Sequence, residues 1–266
     1  MRKIPPVFLL LFMIFLQLNS QDLPATGDSN WQRFIHIEGG MIYPEGSIRE
    51  NIAIRQNISS YYVDQVSNGH VYSETYGIVV GAKWEYFNQK LNIGFSSGLR
   101  YTDFQSEITG YSSNRADFFY LRYSMEDSDT KFARVKYLEE SAGFITIPLE
   151  VRFIPFEYKN IGLFGRAGAE VSIMNILSER NIGFREETME AFEDEVLGQI
   201  GNSPGKFYSS LYASIGLKMS KPGRPEYVIE LFLPSPFLSK NNFVLTKVDY
   251  YSGFKFSIHF PILKSK

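Results

Sequence analysis

The chain has 266 residues, no cysteine and a formal net charge of −2. That length suits one barrel or one ordinary domain rather than two separate ones. The missing thiol rules out disulfides, thiolate metal sites, a cysteine nucleophile and a lipidated N-terminal cysteine, and the slightly acidic balance leaves no footprint for nucleic acid.

The first element is an export signal. Met1-Arg2-Lys3-Ile4-Pro5-Pro6 leads into the apolar run 7–16 and then a polar stretch ending at Ser20-Gln21. A basic start, about ten apolar residues and a small residue at the exit define a secretory signal peptide, too short to remain as a membrane span. Cleavage is expected after Ser20, giving a signal over 1–20, a short lead over 21–33 and a barrel over 34–263. Past the signal, no apolar stretch reaches the roughly 18–20 residues of a membrane helix. If the exported chain enters a membrane, it must do so as strands, because only helices and closed barrels satisfy every backbone group in hydrocarbon.

Eight segments then alternate polar and apolar residues at every step. The first, 34–43, is weak, with Ile35, Ile37 and Met41 against His36, Glu38 and Gly40. The second sets Tyr76, Ile78, Val80, Ala82, Trp84 and Tyr86 against Gly77, Gly81, Lys83 and Glu85. The third sets Leu91, Ile93, Phe95, Leu99 and Tyr101 against Gly94, Ser96, Gly98 and Arg100. The fourth sets Ile147, Leu149, Val151 and Phe153 against Thr146, Pro148, Glu150 and Arg152. The fifth sets Leu163, Ala167, Ala169 and Val171 against Gly162, Arg166, Gly168 and Glu170. In the sixth, Leu211, Ile215 and Leu217 oppose Tyr212, Ser214, Gly216 and Lys218. In the seventh, Tyr227, Ile229, Leu231 and Leu233 oppose Glu230, and in the eighth, Phe254, Phe256, Ile258 and Phe260 oppose Lys255, Ser257 and His259. Period two over about ten residues is what a tilted membrane strand needs.

The connections sort by length. Short ones fall at Asn88-Gln89-Lys90, at 157–160 and at 220–225, where Lys221-Pro222-Gly223-Arg224-Pro225 is a turn by composition. Long ones cover 44–73, 107–140, 177–206 and 234–247. Bacterial outer-membrane barrels have brief periplasmic turns and long external loops. The expected fold is all-β: an eight-stranded antiparallel transmembrane barrel, with both termini on the short-turn side. Residues 116–124 and 132–138, around 125–131, read as strand extensions above the membrane, with ten crossing strands as the alternative. Residues 51–59 read as a further extension into the first loop.

The polar face decides between this barrel and a soluble half-buried sheet. It carries Glu38, Glu85, Glu150, Glu170 and Glu230 with Lys83, Arg100, Arg152, Arg166, Lys218 and Lys255, among small residues. An eight-stranded interior is just wide enough for side chains to fill it, and enclosed charges must nearly neutralise one another. The three arginines are expected to point inward and to pair chiefly with Glu85, Glu150 and Glu170. Trp84, Tyr86, Phe87, Phe153, Phe156 and Tyr158 cluster beside two short turns and suit an aromatic girdle at the headgroup level.

The stretch Tyr137-Leu138-Glu139, followed by Ile145-Thr146-Ile147-Pro148-Leu149-Glu150-Val151-Arg152-Phe153 and the glycine-rich Ile161-Gly162-Leu163-Phe164-Gly165-Arg166-Ala167-Gly168, resembles the PorT-like outer-membrane barrel proteins of Bacteroidetes. The resemblance spans residues 34–263; residues 140–144 depart from it by separating Tyr-Leu-Glu from Ile-Pro-Leu. It implies an outer-membrane barrel, and it leaves open any equivalence to PorT, which is implicated in type IX secretion.

Candidate chemistry is sparse. Ser257 and His259 share a strand face at a spacing similar to the His-x-Ser pair of lipid A deacylases, but in reversed order, pointing inward and near the periplasmic end. A lumen hydrogen-bond network is the alternative for the pair. The lumen charges could line an ion path or form a structural filling. The acidic segment 186–195, with Met189, Phe192 and Val196 at helical spacing, reads as a short loop helix that is either solvated or a partner or cation site; it lacks a calcium-loop pattern. Loop aromatics Tyr61, Tyr62, Tyr111, Phe118, Phe119 and Tyr120 either meet a partner or pack the loops together. The function expected is a non-enzymatic barrel without cofactor or metal. It contacts outer-membrane lipid and uses its loops for an envelope or secretion partner; a lipid A-modifying enzyme and a small pore are the alternatives.

Overall fold

The computed structural model describes residues 30–49, 52, 54, 70–111, 118–124, 130–200, 205–221, 224–239 and 243–262. The expected signal and most of the lead lie outside these residues, as do Tyr61, Tyr62 and most of 51–59. The strands are β1 (Trp31–Ile48), β2 (His70–Asn88), β3 (Ile93–Tyr111), β4 (Phe119–Ser124), β5 (Thr130–Tyr158), β6 (Ile161–Phe184), β7 (Phe207–Met219), β8 (Glu226–Pro236) and β9 (Thr246–Pro261). A 3₁₀ turn, Glu187–Phe192, precedes the helix α1, Glu193–Ile200.

Eight strands close a ring. Each pairs antiparallel with its sequence neighbour, β3 pairs with β5 across β4, and β9 returns to β1 from Phe34↔Pro261 to Ile48↔Thr246, with a bulge between Glu45 and Gly46. Strand β4 stays outside the ring, where Phe119–Ser124 pairs with Thr130–Val135 of β5 as a local hairpin. The stretch around 116–138 therefore adds a hairpin and no crossing strands. Among the described residues, no helix is long and apolar enough to cross a membrane.

The described ends of the chain, Asn30 and Ile262, lie at the end of the barrel that carries the three short turns. Asn88 shapes the first turn, its carboxamide oxygen accepting from the Lys90 and Leu91 amides at 3.0 and 3.1 Å. Leu91 and Asn92 belong to this turn rather than to a strand, and Asn92 adopts φ 55°, a left-handed conformation that asparagine tolerates. Lys159, in the two-residue turn before β6, holds the same φ without that tolerance.

The strands run far past the ten or so residues that a bilayer requires. Strand β5 alone has 29 residues, and much of what reads as loop in 107–140 and 177–206 is strand rising from the long-loop end. Along this rise the polarity of the wall inverts. In the lower half, Ile78, Ile147, Leu149, Leu211, Ile229 and Phe256 point outward and are exposed, while charged residues point in. In the upper half, Glu45, Glu74, Glu107, Arg134, Lys136 and Asp249 are exposed, while Ile108, Leu121, Val135, Leu138, Val196 and Leu245 form an apolar core. The lower half has the inside-out polarity of a barrel in hydrocarbon; the upper half has that of a soluble protein.

Candidate functional site: a sealed charged interior

Parity places the charges. In β2, Lys83 and Glu85 share the inward face with Gly81; in β3, Arg100 shares it with Ser96 and Gly98; in β5, Glu150 and Arg152; in β6, Arg166 and Glu170. These residues, with Lys218, Glu230 and Lys255, are all buried. Room comes from small residues on neighbouring strands. A Cβ on Gly168 would lie 2.7 Å from the Tyr212 ring, and one on Gly94 would collide with the Glu85 carboxylate.

Glu150 is the hub. Its carboxylate lies 2.5 Å from Lys83 Nζ, 3.1 Å from Arg100 Nη2, 3.3 Å from Arg166 Nη1 and 4.0 Å from Lys255 Nζ. The Ser96 hydroxyl donates to it at 2.8 Å, and the Tyr212 hydroxyl donates as well. Glu38 holds Lys83, Arg100 and Lys255 at 2.8, 2.9 and 3.1 Å. Glu230 holds Arg166 at 2.9 Å and Lys255 at 3.5 Å, and accepts from Ser214 at 2.6 Å. Glu170 pairs with Arg100 and accepts from Ser210 at 3.2 Å.

Nearer the short turns, Arg152 binds Glu85 at 2.7 Å and Glu226 at 3.6 Å. Lys218 reaches Glu157 at 3.1 Å and Glu226 at 3.8 Å, so it sits at the margin of the network. Six buried carboxylates (Glu38, Glu85, Glu150, Glu170, Glu226, Glu230) thus face six buried cations (Lys83, Arg100, Arg152, Arg166, Lys218, Lys255). Glu226 completes the balance. Sequence reasoning starts that strand at Tyr227 and misses it, although Glu226, Val228 and Glu230 share one parity.

His36 and His259 also join this group, and reading the strands singly does not connect them. Their rings stack with centroids 3.4 Å apart and planes 5° from parallel, as the pairing His36↔His259 requires. His36 Nε2 donates to Glu85 Oε2 at 3.0 Å. With His259 these groups have ligand atoms within 4.8 Å of one another, a spacing a metal ion could use. The Arg152 guanidinium occupies that role here, 2.7 Å from Glu85 Oε2 and 3.5 Å from His259 Nδ1.

Ser257 Oγ lies 2.9 Å from His259 Nε2, and His259 Nδ1 lies 3.4 Å from Glu226 Oε2. A serine, a base and a carboxylate stand in line. Both Ser257 and His259 are buried, however, and nucleophilic catalysis also needs substrate access and an oxyanion site.

Apolar layers close the charged region at both ends. Toward the short turns, Phe34, Phe87, Ile154, Phe164 and Val228 pack together. Toward the long loops, Phe104, Phe144, Tyr208, Phe237 and Phe243 meet mostly edge to face, with centroids 4.9–6.4 Å apart. Cations lie over the faces of these layers: Arg152 at 5.1 Å from Phe87, and Lys255 at 5.2 Å from Phe232.

Of the expected girdle, Phe153, Phe156 and Tyr158 are exposed on the outer wall, and Trp84 and Tyr86 are half-buried there. Phe87 is not part of it. It shares parity with Lys83 and Glu85, points inward and is 6% exposed in the lower apolar layer.

In the upper half, Phe118 and Phe119 are buried, with Arg185 4.4 Å above the Phe118 ring, so these aromatics pack the head. The Tyr111 side chain lies outside the described set. The acidic segment forms the 3₁₀ turn and α1, burying Val196 and Ile200 while Glu187, Glu190, Asp194 and Glu195 face solvent.

The fold and interior define an eight-stranded transmembrane-type β-barrel filled with ion pairs and closed by aromatic layers. No protein-family model matches the sequence, and no curated protein matches it. Among solved structures, the chain is similar to the outer membrane protein OprG from Pseudomonas aeruginosa, at 10% identity and a TM-score of 0.39, over 85% of this chain and 95% of that one. It is also similar to Ail, the attachment invasion locus protein of Yersinia pestis, in complex with the heparin analogue sucrose octasulfate. That likeness has 13% identity and a TM-score of 0.34, over 88% of this chain and 99% of that one. The assignment to a barrel rests on the pairing and burial of this chain itself.

Proposed function

We propose that the protein is a non-enzymatic integral barrel of a bacterial outer membrane, whose long-loop head binds an envelope or secretion partner. The observation that carries this reading is the inversion of wall polarity. A closed wall with Leu, Ile and Phe outside and ion pairs inside suits hydrocarbon, while the same strands continue upward with Glu45, Glu74 and Glu107 outside and an apolar core within. The N-terminal signal pattern and the sorted connections support export and an outward-facing head. The resemblance to PorT-like proteins favours an envelope or secretion-support role.

The interior favours binding over transport. Paired charges between two aromatic layers make a structural filling, so activity falls to the surface of the head, which carries the packed hairpin and α1. Two measurements test this. Purified protein in planar bilayers should show no stepwise conductance, and a photo-cross-linker at Glu190 or Asp194 in intact cells should capture a discrete envelope protein. Stepwise conductance from the parent protein would replace the binding role with that of a pore. Cross-linkers that capture nothing at any exposed head position would remove the partner.

A further inference from the structure

The wall is interrupted at one place. Strands β3 and β5 stay in one register from Ile93↔Phe153 to Thr109↔Tyr137, but Gly98 and Leu99 have no paired partner opposite Pro148 and Ile147. Pro148 brings no N–H to the ladder, and it still aligns with Glu170 on its other side. In hydrocarbon an unpaired backbone group is costly, because no water can satisfy it.

A groove of about 680 Å³ lies over this interruption on the outer wall. Trp84, Phe95, Leu99, Ile147 and Leu149 line it, and Ser97 lies at its centre, paired with Trp84 on one side and Leu149 on the other. The small Ser97 side chain between Phe95 and Leu99 helps make the depression. Trp84 is half-buried beside the groove and offers its ring surface, its indole nitrogen being covered by the protein itself. An apolar trough of this volume in a lipid-facing wall matches an acyl chain.

Depth selects the lipid. Ser97 stands four residues above the start of β3, directly over the short Gln89–Asn92 turn, so the groove opens within the leaflet on the short-turn side. The surrounding wall is already the apolar belt, so the groove is continuous with the surface that meets lipid. We propose that this groove binds one acyl chain of a glycerophospholipid from the periplasmic leaflet. This inference rests on the membrane orientation proposed above.

The chain has two tryptophans, so Trp31→Phe leaves Trp84 as the sole indole reporter. This variant would be placed in vesicles containing increasing fractions of phosphatidylethanolamine with brominated acyl chains, and Trp84 fluorescence followed. Site binding predicts quenching that saturates early, half-maximal at a brominated fraction several-fold below that expected for random neighbouring lipid. Ser97→Phe, and separately Ser97→Leu, should fill the groove and abolish this early component while the protein still floats with the vesicles. Quenching that simply tracks the bulk fraction in the Trp31→Phe protein, or an early component that survives both Ser97 substitutions, would overturn the site while leaving the barrel in its membrane. Failure to float with vesicles at all would overturn the membrane reading and the groove with it.

Discussion

Glu150→Ala is the most demanding perturbation of the interior. Glu150 lies within 4.0 Å of four cations and accepts from Ser96 and Tyr212. Its removal leaves five buried carboxylates against six cations and strands two hydroxyls. Breaking a buried ion pair by deleting one partner costs about 3–5 kcal/mol. Two features act in opposite directions here. Glu38 still holds Lys83, Arg100 and Lys255, and Glu230 still holds Arg166, so no cation loses its last partner. Yet the apolar layers at both ends hinder water from solvating the excess charge. The expected loss therefore stays within that range. The assay is urea unfolding in lipid vesicles, read by tryptophan fluorescence and by the gel mobility of the folded form. Glu150→Gln should also destabilise, and adding Lys83→Met to it should recover part of the loss, with a coupling of about 0.5–3 kcal/mol. A Glu150→Ala protein within about 0.5 kcal/mol of the parent, at an unchanged denaturant slope, would refute the claim that this network is enclosed.

Three further outcomes follow. Glu140 accepts from the Val244 and Leu245 amides at 2.9–3.0 Å, tying the last long loop across the barrel mouth; Glu140→Ala should release it at a cost of about 1–3 kcal/mol, read as faster hydrogen exchange at those two amides. Glu107 stands between Glu74 and Glu139 in adjacent strands, and partial burial followed by these two neighbours pushes its carboxyl above the ordinary value of 4.5. A raised folded-state value means that its favourable contribution is full in acid and fades as pH rises through that value, so Glu107→Gln should raise the melting temperature at neutral pH and lose that advantage below pH 4.5. Ser257→Ala and His259→Ala should leave the acyl pattern of lipid A unchanged by mass spectrometry; an altered pattern would make the Ser257–His259–Glu226 line catalytic.

The eight ring strands and the direction of each lumen charge were legible, because side-chain parity is a local property and the lower wall has one apolar face throughout. Of the upper strands only the extensions at 116–124 and 132–138 were legible. Once the wall leaves hydrocarbon its polarity reverses, so Ile182 and Phe184 in β6 look like loop residues although they are strand residues facing an apolar core. Aromatic character puts Phe87 in the girdle while its parity puts it inside, and its burial in the lower apolar layer follows parity. Partner choice lay out of reach for another reason. Lys83 and Glu150 are 67 residues apart, and His36 meets His259 only where the last strand closes on the first, so these contacts depend on the stagger with which the ring closes. The interruption at Pro148 was readable in principle, since a proline inside a strand marks a missing ladder bond.

The proposed barrel crosses the outer membrane with its polar-walled head outside the cell. The cysteine-free chain permits a direct test by single substitutions with a membrane-impermeant maleimide. Asp194→Cys lies in α1 of the head, and Lys159→Cys in the two-residue turn at the opposite end. Asp194→Cys should be labelled on intact cells, whereas Lys159→Cys should be labelled only after the outer membrane is breached. Labelling of Lys159→Cys but not Asp194→Cys on intact cells, or recovery of both variants in the soluble fraction, would contradict this placement.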